Sequence, residues 1–314
     1  MLKSSEALSL LRASRAVVFV NLTAGGGRAR ASAQRIRELF EASGAPAEFV
    51  ATNSAAELET AAQAAISRGQ RVLFAMGGDG TFQALANASQ GSDACLGILP
   101  AGGGNDFAAA LGMPADPLRA AEAVLQGRTR SVDLVRVRTA DGRTRLYAGG
   151  GGIGLDAQAA RHATGTYRHL PGRVRYVAAA LRALLEFEPL SVRLEFPETD
   201  LCPVEMSCLL TGVLNSPTYG AGVRLAPEAT IDDGFLHVVQ IENMGTLGVL
   251  RLLPRLMLSG EVRTTRIQRW RVRRVRLSTE QPYLFHGDGE ILGLTPVEIE
   301  IVPRAIRILA LASR

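Results

Sequence analysis

Apolar and polar positions alternate in blocks along the first 130 residues. Val17-Val18-Phe19-Val20-Asn21 is a short β-branched run, after which Arg28 to Ser43 carries apolar positions at helical spacing. The block returns as Ala47–Thr52 then Ala55–Ser67, as Arg71–Met76 then Thr81–Ala88, and as Cys95–Leu99 then Asn105–Leu111. Strands alternating with helices over 15–130 predict a parallel sheet covered by helices, with ligands bound beyond the carboxyl ends of the strands. Glycine-rich segments fall at those ends, at 24–27, 77–80 and 102–104.

After Val132-Asp133-Leu134 the texture shifts to shorter β-rich runs with turn signals at Asp141-Gly142, Asn215-Ser216-Pro217 and Asp233-Gly234. The reading is an α/β domain over 1–133 and a mainly β domain over 134–302, interrupted by helices at about 174–187 and 246–258. The final run, 305–310, is a strand that the pattern alone assigns to neither domain.

Composition narrows the chemistry. With 47% hydrophobic and 21% charged residues, the 314-residue chain has no long polar tract and should fold throughout. Cys95, Cys202 and Cys208 show no metal-type pairing, and the last two lie in an apolar stretch where thiols pack as small hydrophobes. The start lacks a secretory pattern, and the apolar stretch 244–258 is broken by Arg251, Pro254 and Arg255, too short and too charged to cross a bilayer. A cytoplasmic protein is the expectation. Net charge is +5, yet Lys3 is the only lysine. A P-loop needs a lysine after its glycines, so phosphates would have to be held by backbone N–H groups, arginines or metal.

Met76-Gly77-Gly78-Asp79-Gly80-Thr81 joins a buried-looking strand to a helix, a setting in which helix N–H groups meet phosphate. Asp79 would repel that phosphate unless a divalent cation lay between them, so the loop points to a Mg-nucleotide more than to a bare anion. A tight structural turn is the bland alternative. The segment Leu99-Pro100-Ala101-Gly102-Gly103-Gly104-Asn105-Asp106-Phe107-Ala108 repeats the design one unit later, with Asn105 or Asp106 as candidate helix caps. The loop from Asn21 to Gly27 is a third candidate lip. Asp288 and Glu290 sit two apart, and in an extended segment both would point to one face. Two acids on a solvated loop are the plain reading of that pair.

These motifs resemble, in order and spacing, the catalytic-domain signature of the diacylglycerol, sphingosine and ceramide kinases and their bacterial relatives. The residues that carry the resemblance are Gly-Gly-Asp-Gly-Thr at 77–81, the 99–108 segment and Asp-Gly-Glu at 288–290. Ser-Val-Asp-Leu at 131–134, the 152–157 segment and Ala-Pro-Glu-Ala-Thr-Ile-Asp-Asp-Gly-Phe-Leu at 226–236 extend it over nearly the whole chain. The first motif is shared with NAD kinases, but the set is specific.

The resemblance implies a Rossmann-like nucleotide domain, a C-terminal β-sandwich and a last strand, about 303–314, returning to the first domain. It implies ATP and Mg²⁺ as cofactors. Asn21, Thr52, Gly77, Gly78, Asp79, Gly80, Thr81, Phe82, Gln83, Gly102, Gly103, Gly104, Asn105 and Asp106 would lie at the nucleotide. Glu290 would accept the hydroxyl proton, with Asp288, Asp79, Asp106 and Asp133 completing an acidic network around Mg²⁺. A further Mg²⁺ would take Asp233 and the carbonyls of Thr230 and Phe235. The acceptor would be a diacylglycerol-like, sphingoid or phosphatidylglycerol-type lipid met peripherally at the inner membrane surface, with a homodimer as one possible assembly. Leu22, Ala84 and Gly103 depart from the family pattern, which keeps a non-catalytic relative among the alternatives beside an NAD kinase. His286 reads as incidental, and His162, His169 and His237 lack ligand spacing. The seven arginines of 263–276 suit either acidic headgroups or the wet face of a strand, and without a nucleic-acid-binding fold they do not suggest nucleic acid.

Overall fold

The computed structural model describes residues 5–311 apart from 156–157, 159–161, 163–164, 168–177, 180–181, 184–185, 187, 221 and 259–263. The chain divides into two units, Met1–Val132 with Arg304–Arg314, and Asp133–Pro303.

The first unit is built on β1 (Ala16–Asn21), β2 (Ala47–Thr52), β3 (Val72–Gly77) and β4 (Cys95–Pro100), all parallel, in the order β2-β1-β3-β4. Every residue of β3 and β4 is buried, which is why these strands read as unbroken apolar runs. The edge strand β2 is largely half-exposed. The chain leaves β1 toward β2 on one side and reaches β3 on the other, so right-handed crossovers send the helix after β1 to one face and the helices after β2 and β3 to the other. Accordingly α2 (Arg28–Ala42) packs with α6 (Pro117–Leu125), which also receives α1 (Glu6–Ala13), whereas α3 (Ala55–Ser67) packs with α4 (Asp79–Ala88). Strand order reverses between β1 and β3, the point where an open α/β sheet leaves a crevice outside its carboxyl ends. The helices α1 and α6 escape the sequence reading because each spans little more than two turns.

The second unit is antiparallel. The order β14-β13-β7-β9-β8-β12 joins β14 (Glu290–Leu294), β13 (Leu284–Gly287), β7 (Gly150–Gly154), β9 (Val204–Leu214), β8 (Leu190–Glu195) and β12 (Arg274–Thr279). β10 (Leu236–Glu242) pairs with both β9 and β11 (Ile267–Val272), and β5 (Arg128–Thr139) with β6 (Thr144–Tyr147). One core gathers Tyr147, Val213, Val238, Leu277 and Phe285; a second seats Val249, Leu252 and Leu256 of α7 (Thr246–Leu258) on Leu214, Tyr219 and Leu225. A Rossmann-like parallel sheet followed by a β-sandwich is the fold class expected from the sequence.

The last strand, β15 (Val297–Ala310), serves both units. Val297–Glu300 pair antiparallel with β12, and Arg307–Leu309 pair parallel with β4. The helix expected at 174–187 lies mostly outside the described residues, as do Asp156, Ala157 and His169. Cys202 is exposed, correcting its expected packing: Pro203 has no N–H for a ladder, and the strand begins only at Val204. Cys208 is buried, and burial pushes its thiol up to about 12. In the arginine stretch, Arg274 meets Glu298 and Glu300 on the neighbouring strand and Glu198 in the turn after β8, and Arg276 meets Glu298.

Candidate functional site

Helix starts in the first unit fall into two groups. α1, α3 and α6 begin at Ser5, Ser54 and Asp116, whose side chains accept from N–H groups of the first turn. α2 and α4 begin at Gly27 and Gly78, which have no side chain to offer. Both follow glycine loops at the carboxyl ends of β1 and β3, so first-turn amides and a positive helix end are left for an anion at the reversal point.

The three loops touch one another. Ala101 and Gly102 donate to the Gly77 carbonyl at 2.7 and 3.2 Å. A methyl built on Gly102 would stand 2.5 Å from the Gly78 Cα, so glycine is required there by the close approach of two backbones. The Asn21 amide donates to Thr81 Oγ1 at 3.1 Å, joining the first loop to α4, and the Arg28 guanidinium donates to the Gly102 carbonyl. Arg28 had not been singled out, although an arginine after three glycines is the signal that would have found it. Thr52 sits opposite Asn21 in the β1–β2 register, buried, with its hydroxyl 3.4 Å from the Val20 carbonyl.

Asp79 is the centre of this arrangement. Asp106 and Phe107 donate their N–H groups to its two oxygens, each at 3.3 Å. It thus caps the short helix α5 (Asp106–Ala110), the role expected of Asn105 or Asp106. Asn105 is occupied elsewhere: held at φ 60, it brackets Gly102, accepting from its N–H at 3.1 Å and donating to its carbonyl at 3.0 Å. A methyl built on Gly104 would lie 3.3 Å from an Asp79 oxygen and 3.8 Å from an Asp106 oxygen, so the two carboxylates flank one patch of backbone. Exposed Gly103 and Gly104 line its open side. The segment 77–83 is not a loop throughout, because α4 starts at Asp79 rather than at Thr81. Phe82 is sealed in the core against Phe107, ring centroids 4.9 Å apart, and Gln83 is buried. Their side chains therefore face the fold, and Gly78 and Gly80 form the half-exposed rim, with Gly77 and Thr81 buried behind it.

In the second unit Asp288 and Gly289 form the two-residue turn between β13 and β14. Asp288 adopts φ 50, correcting the extended geometry expected for the Asp288–Glu290 pair. Its carboxylate accepts from Ala148, Gly149 and Gly150 at 2.7, 2.9 and 3.2 Å, and its N–H donates to the Gly150 carbonyl at 2.9 Å. Such a grip holds a residue in a disfavoured region and fixes the turn that presents Glu290. Glu290 opens β14 with its side chain exposed, yet the protein massed around its carboxyl raises its pKa above the ordinary glutamate value through desolvation.

Asn215 reinforces the anchor. Fully buried, it donates from Nδ2 to the Asp133 carbonyl at 3.0 Å and to the Ala148 carbonyl at 2.9 Å. The sequence offered it only as a turn residue. Its signal was an amide side chain directly behind the apolar run 208–214. His286 is buried in β13 with Nε2 2.8 Å from the Tyr219 hydroxyl, a packed pair rather than an incidental loop residue.

A magnesium ion carried with a nucleotide fits the Asp79–Asp106 patch, where two carboxylates adjoin uncapped helix starts. The set expected around Asp233 does not fit a cation. Phe235 N–H and His237 Nε2 take its two oxygens at 2.9 and 2.8 Å, and the Thr230 carbonyl accepts from the Asp233 N–H at 3.3 Å. Asp133, buried, accepts from the Gly234 N–H at 2.8 Å and so clasps the same loop.

Comparison with known proteins covers both units. Residues 15–137 match the family described as Diacylglycerol kinase catalytic domain, and 151–310 the YegS C-terminal NAD kinase beta sandwich-like domain. A Mycobacterium tuberculosis protein named diacylglycerol kinase is 30% identical over 248 residues, 78% of this chain and 79% of its own. One of the same name from Bacillus subtilis is 26% identical over 297 residues, 94% of this chain and 95% of its own. A crystal structure of a diacylglycerol kinase from Bacillus anthracis shares the fold, with TM-score 0.72 and 19% identity over 95% of this chain and 97% of that one.

Proposed function

From the premise that this chain belongs to the diacylglycerol kinase family of lipid kinases, we propose that it moves the γ-phosphate of Mg-ATP to a lipid hydroxyl. The acceptor is of diacylglycerol-like, sphingoid or phosphatidylglycerol type. The observation that carries this reading is the meeting of three glycine loops and two adjacent carboxylates at the point where the first unit's strand order reverses.

Phosphoryl transfer asks mainly for positioning, charge neutralisation and one proton acceptor. Mg-ATP, when bound, supplies the phosphoryl group and the cation. The first-turn amides of α2 and α4 would orient the phosphates, Arg28 adds a guanidinium at the same rim, and Asp79 and Asp106 would hold the metal. Glu290 takes the acceptor's hydroxyl proton. A carboxylate raised toward the working pH is the better base for that step, and the Asp288 anchor keeps it in place.

Contact with the lipid is peripheral, at the cytoplasmic face of a membrane. Among the described residues no helix is long and apolar enough to cross a bilayer. α7 instead carries Leu258 at 83% exposed, with Arg251 and Arg255 exposed along it, a pairing of apolar and basic groups that suits an anionic interface. Cosedimentation with anionic vesicles should be weakened in Leu258→Glu.

Labelled ATP and a lipid panel in mixed micelles test the reaction, and at least one alcohol-bearing lipid is expected to become labelled. Labelling of NAD with no lipid product would replace this reading by an NAD kinase. Nucleotide binding with no turnover on any acceptor would replace it by a non-catalytic relative.

A further inference from the structure

The loop that the family resemblance assigns to a second magnesium ion is built around a different partner. Asp233 is almost enclosed, its side chain 15% exposed, and His237, four residues on at the start of β10, is 4% exposed beside it. A carboxylate oxygen can only accept, so the 2.8 Å contact requires His237 to present Nε2–H. The second oxygen takes the Phe235 N–H at 2.9 Å. Arg271 crosses the Phe235 ring at 3.8 Å and sets a guanidinium nitrogen 3.8 Å from the Asp233 carboxylate. Glu228 stands 3.6 Å from His237 Nδ1, on the far side of the ring from Asp233. Oxygen lone pairs are what a hard divalent ion needs, with about six of them at about 2.1 Å for magnesium. Here each oxygen of Asp233 already accepts from a protein donor, and a guanidinium beside them opposes a second positive charge.

We propose that in this chain His237, seconded by Arg271, replaces the divalent cation as the lock on the Asp232-Asp233-Gly234 loop. The loop is then metal-independent. The imidazole ties Asp233 to β10, Asp133 ties Gly234 to β5, and the turn is closed from both strands by protein groups alone. This inference goes beyond the proposed reaction and does not rest on it, since nothing in it depends on what the first unit binds.

Thermal unfolding of the full chain without nucleotide, in magnesium chloride and after chelation, separates the possibilities. The expected result is one midpoint in both conditions. His237→Asp exchanges the donor for a third carboxylate at the loop, and should gain a magnesium-dependent rise of about 2–4 °C that a second change, Asp233→Asn, removes. The proposal is overturned if the unchanged chain is itself stabilised by magnesium and Asp233→Asn abolishes the effect. A rise that persists in Asp233→Asn comes from another site and upholds it. Should His237→Asp fail to fold, the unchanged chain and Asp233→Asn still decide. Failure of the lipid kinase reading would appear in product formation, which this measurement does not use.

Discussion

Asp79 and Asp233 each accept hydrogen bonds on both carboxylate oxygens, but the donors differ in kind. Asp79 receives two backbone amides and lies beside a second carboxylate, Asp106. Asp233 receives one amide and one imidazole, with a guanidinium at 3.8 Å. An amide orients a carboxylate without cancelling its charge, whereas a cationic side chain answers the charge itself. The same residue type in a loop of glycine and aspartate thus meets main-chain donors beside a second acid in one unit and a side-chain donor in the other, and under the proposed function the first serves a ligand and the second the fold.

The sharpest way to break this comparison starts from Glu290. Glu290→Gln should lower kcat about 10²–10⁴-fold as the proton acceptor is lost. Stability should move the opposite way. The folded-state pKa of Glu290 is raised, so its contribution is fully present below the unfolded value and is lost as pH rises through the raised one. At neutral pH the partly desolvated charge is a cost, and the variant should melt no lower than the unchanged chain.

Next in size, Asp79→Ala should cost about 10²-fold in rate together with about 1 kcal/mol, because a metal ligand and the cap of α5 leave at once. Asp233→Ala should lower stability while leaving the magnesium dependence of the rate unchanged. If urea unfolding and kinetics showed the two variants alike, the distinction between the two loops would collapse. Asn215→Ala should cost about 1–3 kcal/mol, since the buried Ala148 and Asp133 carbonyls each lose a donor. Its rate should fall through a looser Asp288 turn, and Asn215→Asp should not restore it, because a carboxylate cannot donate. The smallest effect is a shift in profile. Activity should rise with pH to a plateau whose midpoint lies above the ordinary glutamate value, and that limb should vanish in Glu290→Gln.

Much of this was legible in the chain. Continuous apolar runs such as 72–77 and 95–100 mark strands covered on both faces, and the glycines behind them mark places where backbones meet. What a run of letters does not carry is which donor reaches which acid. Asp288 accepts from residues about 140 positions earlier, and its φ of 50 belongs to that long-range grip rather than to any local preference. Asn215 looked like punctuation because its partners, Asp133 and Ala148, are supplied by segments more than sixty positions earlier in the chain. His237 lacked ligand spacing, and it proved to be a partner for a carboxylate instead of a metal.

The end of β15, from Arg304, follows the entire second unit in the chain, yet it lies along β4. During synthesis, β4 waits with one flank bare while some two hundred intervening residues emerge. The nucleotide sheet is therefore finished last although it was begun first. A message truncated upstream of residue 304 would release a protein holding every glycine loop on a sheet with an open, aggregation-prone border.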